Sequence, residues 1–164
     1  MPTNRTSQRS AEWVAIQANP RAGAGTERQE IGRLVDSLRR HGLRPLLFKN
    51  RERLGRILSN PDLKRRLRCI VAAGGDGTVA DVLNRFPDVP FTILPQGTEN
   101  LLARYLGIPR CGRAVGDIIA AGHIRRLDLA AAGERRFALM ASVGFDADVV
   151  HRLDATRTGH VRRS

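Results

Sequence analysis

The chain repeats one local pattern: a short apolar run, then a turn rich in glycine or proline, then apolar residues at helical spacing. The runs at residues 13–18, 69–73 and 91–94 each end in such a turn. Runs this short and this uniformly apolar are typical of parallel strands that are buried on both faces. Strands that alternate with helices predict one sheet with helices on both sides. We therefore expect an α/β fold of three layers around a mostly parallel sheet.

Further patterns predict the elements around and between these units. Apolar residues at 43–48 predict another strand, and residues 51–58 with 63–67 predict one or two basic helices. Residues 124–130 and 135–143 are extended runs on either side of a glycine turn, which predicts a hairpin. Helical spacing of apolar or small residues predicts further helices at 31–38, 79–86, 101–105 and 113–121.

Length and composition favour a single domain. At 164 residues with 41% hydrophobic content, the chain can bury one sizeable core but not two. Residues 1–11 predict a disordered leader, residues 12–150 a folded domain and residues 151–164 a linker. No apolar run approaches the roughly 20 residues of a membrane-spanning helix, and the polar N-terminus has no secretory signal pattern. We therefore expect a soluble, cytoplasmic chain.

The charge balance is strongly basic and leaves two explanations open. A formal net charge of +12 favours anionic partners such as phosphates, acidic lipid headgroups or nucleic acid. Only two of the 28 basic residues are lysines, and a GC-rich genome can produce this arginine bias without any binding purpose. Aromatic residues are too few for a stacking surface, so we expect no nucleic-acid partner. The two cysteines and four histidines match no metal-ligand spacing, so we expect no dedicated metal site.

The Gly-Gly-Asp-Gly-Thr motif at residues 74–78 is the strongest candidate site. Its glycines allow backbone N–H groups to approach a phosphate closely, and the helix that follows directs its positive N-terminal end to the same place. The carboxylate of Asp76 suits a cation, an ordered water or proton transfer. The alternative is an ordinary turn in which Asp76 caps the helix. Because strands of a parallel sheet end along one edge, the glycine turns should converge there.

The ordered set of motifs resembles the lipid kinase superfamily of diacylglycerol and sphingosine kinases. Gly-Gly-Asp-Gly-Thr after a buried strand is shared by these enzymes, ceramide kinases, NAD kinases and, more distantly, phosphofructokinases. Residues 19–25 resemble the first glycine-rich loop of the lipid kinases, and residues 95–104 resemble their Pro-x-Gly-Thr-x-Asn-x-x-Ala-Arg segment. Residues 126–130 and 142–147 resemble segments that lead out of the same lobe. These motifs favour a lipid kinase over an NAD kinase.

The resemblance implies the ATP-binding lobe of a lipid kinase, with a Rossmann-like sheet and with ATP and Mg²⁺ as cofactors. Asp76 would be the catalytic carboxylate, either as a general base toward the lipid hydroxyl or by orienting Mg²⁺. The lipid would be met at a membrane surface by peripheral contact, for which the basic residues at 51–56 and 64–68 are candidates. The residues that would frame the nucleotide are Asn19, Gly74, Gly75, Asp76, Gly77, Thr78, Gly97, Thr98 and Asn100.

Two departures from the family pattern keep alternatives open. Glu99 stands where the family usually has glycine or alanine, which adds a carboxylate near the expected phosphates. Family members usually continue into a mostly antiparallel second lobe, and we expect this C-terminal β-sandwich to be absent from a chain that stops at Ser164. One alternative is therefore a nucleotide-binding module without catalysis. The other is an NAD kinase-type phosphotransferase.

Overall fold

The computed structural model describes residues 13–18 and 26–139, together with the single positions 148 and 152. Four strands form a central sheet in which every pairing is parallel, in the order β2-β1-β3-β4. This arrangement confirms the predicted α/β fold with a parallel sheet. The strands are β1 Trp13–Ala18, β2 Arg44–Phe48, β3 Leu67–Gly74 and β4 Phe91–Pro95.

Helices cover both faces of this sheet. The face that we call the α4 face packs α2, α4 and α5 against Ala15, Ile70 and other sheet residues. The opposite α1 face packs α1 and α6 against Ile16 and Val71. Neighbouring residues of a strand lie on opposite faces of the sheet because side chains alternate along a strand. The helices are α1 Thr26–Arg40, α2 Arg51–Leu58, α3 Pro61–Arg65, α4 Asp76–Arg85, α5 Leu101–Tyr105 and α6 Gly112–Ala121.

The sheet changes winding direction between β1 and β3. The chain leaves β1 through α1 toward β2 on one side, and it leaves β3 through α4 toward β4 on the other. In open α/β sheets, ligands bind outside the carboxyl ends of the strands at such a reversal. The turns after β3 and β4 lie at this edge, which we call the carboxyl edge.

Two glycines allow α6 to pack closely on α1. A methyl group on Gly112 would overlap the backbone oxygen of Glu30, and one on Gly116 would lie 2.5 Å from the hydroxyl oxygen of Ser37. The Gly112 N–H donates to the Glu30 carboxylate at 2.7 Å, and the Ser37 hydroxyl lies 2.9 Å from the Asp117 carboxylate. This interface closes the α1 face of the core.

The second basic helix lies two residues earlier in the chain than predicted, and the following strand is longer. The helix predicted at residues 63–67 ends at Arg65, and β3 begins at Leu67 instead of at residue 69. Leu67 is buried in the core of the α4 face and pairs with Trp13 of β1. Burial and strand pairing of Leu67 therefore set the boundary.

The predicted hairpin forms, with shorter strands than the sequence pattern suggested. Strands β5 Ala130–Ala132 and β6 Arg135–Phe137 pair antiparallel around a turn in which Gly133 has a φ of 59°. Residues 124–129 form no strand, and residues 140–143 lie outside the described part of the chain. The Asn84 side chain exchanges two hydrogen bonds with the backbone of Arg136, at 3.0 and 2.8 Å, and so fixes the hairpin on α4. Among the described helices, none is long and apolar enough to cross a lipid bilayer.

Candidate functional site

The loops after β3 and β4 meet through two glycines. A methyl group on Gly97 would lie 2.6 Å from the Cα of Gly75, and one on Gly75 would lie 3.1 Å from the Cα of Gly97. The Gln96 N–H donates to the Gly74 carbonyl at 3.0 Å, which continues the β3–β4 pairing into the loops. Close backbone contact thus explains why both positions are glycine. It also brings residues 74–78 and 97–100 together, as predicted.

The first turn of α4 is open at the carboxyl edge. Gly75 precedes the helix without a side-chain cap, and its carbonyl accepts the N–H groups of Thr78 and Val79 at 2.9 and 3.2 Å. The N–H groups of Asp76 and Gly77 have no acceptor within the helix, as at every helix start. Apart from its chain neighbours and the backbone of α4 itself, no heavy atom of the described residues lies within 4 Å of the position that a methyl group on Gly77 would occupy. Free amides and the positive end of the helix dipole can therefore receive an anion here.

Asp76 does not cap α4, so the alternative of a simple capping aspartate is wrong. The residue before the helix is Gly75, which has no side chain to cap this helix end. Asp76 is partly exposed, and its carboxylate has no hydrogen bond or ion pair with any described residue. Thr78 lies two residues further, and its hydroxyl packs so closely on Gly74 that a methyl group on Gly74 would overlap it. Gly74 therefore makes room for the threonine.

Asn100 shapes the second loop from inside. It is 4% exposed and has a φ of 50°, a left-handed conformation that asparagine tolerates better than most residues. Its Oδ1 accepts the Gly97 N–H at 2.8 Å, and its Nδ2 donates to the Gly97 carbonyl at 2.6 Å. The Gly97 amide is thus already used within the loop. Thr98, by contrast, is exposed.

The extra carboxylate of Glu99 has a counterion. Its Oε2 lies 3.8 Å from Nη1 of Arg104, and both side chains are well exposed, at 65% and 71% respectively. Solvent and this arginine both reduce the field of the carboxylate. Glu99 is therefore a weaker obstacle to an anionic ligand than its position in the motif suggested.

Two residues of this site were missed by the sequence patterns. Gln96 is 7% exposed; its Nε2 donates to the Glu27 carbonyl in the first turn of α1 at 2.9 Å, while its buried Oε1 has no hydrogen-bond partner among the described residues. Arg110 donates from Nη2 to the Gly97 carbonyl at 2.8 Å. A polar residue directly before the Gly-Thr pair could have indicated Gln96. No local signal indicates Arg110, because its partner is 13 residues away.

Other predicted site residues lie elsewhere or outside the described part of the chain. Asn19 and the whole loop at 19–25 belong to the residues that the structure does not describe. The basic helix α3 lies at the start of β1, where Leu63 accepts a hydrogen bond from the Trp13 indole at 2.9 Å. This end is opposite to the carboxyl edge. Across the described residues, no group of three or more histidine, cysteine or acidic side chains could hold a metal ion.

Comparison with known proteins identifies the family. Residues 14–132 match the family model of the diacylglycerol kinase catalytic domain. A diacylglycerol kinase of Staphylococcus haemolyticus is 29% identical over 131 residues, which cover 77% of this chain and 40% of the relative. A diacylglycerol kinase of Mycobacterium tuberculosis is 34% identical over 101 residues, which cover 57% of this chain and 33% of that relative.

The fold also matches solved structures. The crystal structure of a diacylglycerol kinase from Bacillus anthracis aligns with a TM-score of 0.61 and 25% identity, over 79% of this chain and 46% of that one. The chain thus spans less than half the length of these relatives. Since the family model matches well over half of the chain, this chain belongs to the diacylglycerol kinase catalytic domain family.

Proposed function

We propose that this chain supplies the ATP-binding lobe of a lipid kinase, which transfers the γ-phosphoryl group of ATP to a lipid hydroxyl. The observation that carries the proposal is the Gly75–Gly97 contact, which joins two loops beside the open first turn of α4. The acceptor would be of the diacylglycerol or sphingoid-base type. Support for this lipid class comes from relatives that are named diacylglycerol kinases.

The residues of the carboxyl edge fit the phosphates of ATP. The amides of Asp76 and Gly77 are free of intrahelical acceptors, and no side chain of the described residues fills the space beside Gly77. Together with Gly74, Gly75 and the hydroxyls of Thr78 and Thr98, they would hold the phosphates, and Asn19 would contribute from the preceding loop. Gly97 and Asn100 would act by shaping the loop, because their polar groups already bond to each other.

Asp76 fits Mg²⁺ in the manner of many kinases. Mg²⁺ commonly binds one or two carboxylates together with substrate phosphates and water, and Asp76 is a carboxylate beside the proposed phosphate site that has no ion-pair partner among the described residues. When bound, ATP would supply the phosphoryl group, and Mg²⁺ would offset the negative charge of the phosphates. The helix end stabilises negative charge on the transferred group. Asp76 either accepts the proton of the lipid hydroxyl or holds the waters of Mg²⁺.

We propose that the carboxyl edge, and not α3, faces the membrane. The basic residues of α3 lie at the far end of the sheet, and β3 alone separates the two ends by about 25 Å, at roughly 3.3 Å for each of its eight residues. Lys49 and Arg53 are exposed, follow the carboxyl end of β2 and form no ion pair with a described residue. Reversing both charges should weaken binding to anionic vesicles. Reversing Lys64 is the control and should leave this binding almost unchanged.

Titration of Mg²⁺–ATP into the chain tests the nucleotide site. We expect saturable binding that Asp76→Ala and Thr78→Val each weaken. Asp88→Ala is a matched control, since Asp88 is also exposed but lies before β4 at the amino end of the sheet. If a well-folded chain binds no ATP, the proposed site does not exist.

A phosphorylation assay on the same samples separates the remaining alternatives. Transfer to diacylglycerol or sphingosine in mixed vesicles supports the lipid kinase. ATP binding without transfer to either lipid favours a nucleotide-binding module whose chemistry needs the rest of the lipid kinase fold. Phosphorylation of NAD would favour the NAD kinase-type alternative.

A further inference from the structure

Arg110 is attached to the loop that completes the candidate site. Its Nη2 donates to the Gly97 carbonyl at 2.8 Å, and the same carbonyl accepts a second bond from Asn100. Arg110 lies in the short connection between α5 and α6, where the chain turns at Gly107 with a φ of 68°. A residue of the α5–α6 connection is thereby held at the carboxyl edge.

The charge of Arg110 is not neutralised within the described part of the chain. Several other exposed arginines have carboxylate partners, for example Arg51 with Asp81 and Arg104 with Glu99. Arg110 has only the Gly97 carbonyl as a partner there, and its side chain is exposed. A guanidinium group has five N–H donors, so most of them remain free for a ligand.

The hydrogen bond to the Gly97 carbonyl determines where the Arg110 guanidinium lies. Gly97 touches Gly75, and Gly75 is the residue directly before α4. Arg110 is therefore bonded to a residue whose backbone packs on the start of the proposed phosphate-binding turn. Guanidinium groups bind phosphate oxygens through two parallel hydrogen bonds, and their charge is not lost at any physiological pH.

We propose that Arg110 binds the terminal phosphates of the nucleotide and makes the site selective for nucleoside di- and triphosphates over monophosphates. This inference rests on the proposed function, since it names a specificity residue for the same site. A purely structural Arg110 would instead brace the Gly97 loop and would support all nucleotides equally. The two roles therefore differ in selectivity, not only in affinity.

Binding of ATP, ADP and AMP to three variants tests the proposal. We expect Arg110→Ala to weaken ATP and ADP binding about 10- to 100-fold, the usual effect of losing a charge-assisted hydrogen bond, and to change AMP binding less than about twofold. Arg110→Lys should recover part of the loss, because it keeps the charge without the planar fork. Arg44→Ala removes an equal, exposed charge at the amino end of β2 and should change none of the three affinities.

The outcomes separate this inference from the proposed function. Equal weakening of ATP and AMP by Arg110→Ala would overturn the inference and assign Arg110 to loop bracing alone. Unchanged ATP binding would also overturn it, while the proposed nucleotide site would stand. If the unsubstituted chain bound none of the three nucleotides, both proposals would fail. Thermal unfolding of each variant, recorded in parallel, verifies that the chains compared are folded.

Discussion

Gly77→Ala should make the chain more stable and at the same time weaker in ATP binding. Gly77 is the second residue of α4, its φ is not positive, and a methyl group there would meet no heavy atom of the described residues within 4 Å beyond its chain neighbours and the backbone of α4. The folded chain can therefore accept alanine without strain. The same methyl group would occupy the volume through which a phosphate must approach the amides of the first turn.

The two effects have separate physical origins and opposite signs. Alanine is favoured over glycine in a helix by up to about 1 kcal/mol, mainly because the unfolded chain loses less entropy on folding. We expect a gain of about 0.5 kcal/mol, since Gly77 lies in the first turn where propensity matters less. Exclusion of a phosphate from contact with the amides should weaken ATP binding at least about tenfold, or about 1.4 kcal/mol.

Urea unfolding and ATP titration on the same preparation measure both effects. Gly55→Ala in α2 is the matched control, because it is also a helical glycine with no heavy atom within 4 Å of the added methyl group. It should raise the free energy of unfolding and leave ATP binding unchanged. If Gly77→Ala binds ATP as tightly as the unsubstituted chain, phosphate does not contact the first turn of α4 and the proposed site is wrong.

Three further predictions concern the scaffold. Gly112→Ala should lower the free energy of unfolding by at least about 1–3 kcal/mol in urea, because the methyl group would overlap the backbone of α1; an unchanged midpoint would contradict the close α1–α6 packing. Hydrogen bonds to its carboxylate lower the pKa of Asp117, and the largest contribution comes from the His41 side chain. The ionised Asp117 carboxylate therefore stabilises the fold above the ordinary aspartate pKa of about 3.9, and this stabilisation is lost as the pH falls through the pKa of Asp117 in the folded chain. Urea unfolding should show a lower free energy of unfolding for Asp117→Asn than for the unsubstituted chain at neutral pH, and equal values in acid. Burial raises the pKa of Cys69 to about 12, so iodoacetamide should modify Cys111 in the native chain and reach Cys69 only after unfolding; equal rates would refute this.

The sheet was predictable where local pattern and tertiary burial agree. Every residue of β1 is buried, as its apolar run predicted. The start of β3 was not predictable, because Arg68 interrupts the apolar pattern. Its guanidinium donates to the carbonyls of Ile119 and Ala120 at 2.8 and 2.9 Å, and so satisfies carbonyls in the last turn of α6 from within a strand. A partner some 50 residues away explains this charge, and no local periodicity contains that information.

The candidate site was predictable as a set of loops but not as a set of roles. Glycine spacing placed residues 74–78 and 97–100 together, and the structure shows the contact. The same spacing could not distinguish the roles of Thr98 and Asn100. Thr98 is exposed, whereas both polar atoms of the Asn100 side chain form hydrogen bonds with the Gly97 backbone. Such roles depend on the loop conformation, in particular on the left-handed φ of Asn100, which sequence patterns do not specify.

The packing of α6 on α1 also has a consequence for the order of events during synthesis. The bond between Gly112 and Glu30 joins residues that are 82 positions apart. At about 5–20 residues per second, the ribosome needs roughly 4–16 s to add the intervening segment. During that interval Leu34 and Leu38 have no α6 to cover them, although both are fully buried in the finished fold. The nascent chain therefore carries an unfinished apolar face for seconds, and this stretch of α1 is the segment that a chaperone would protect.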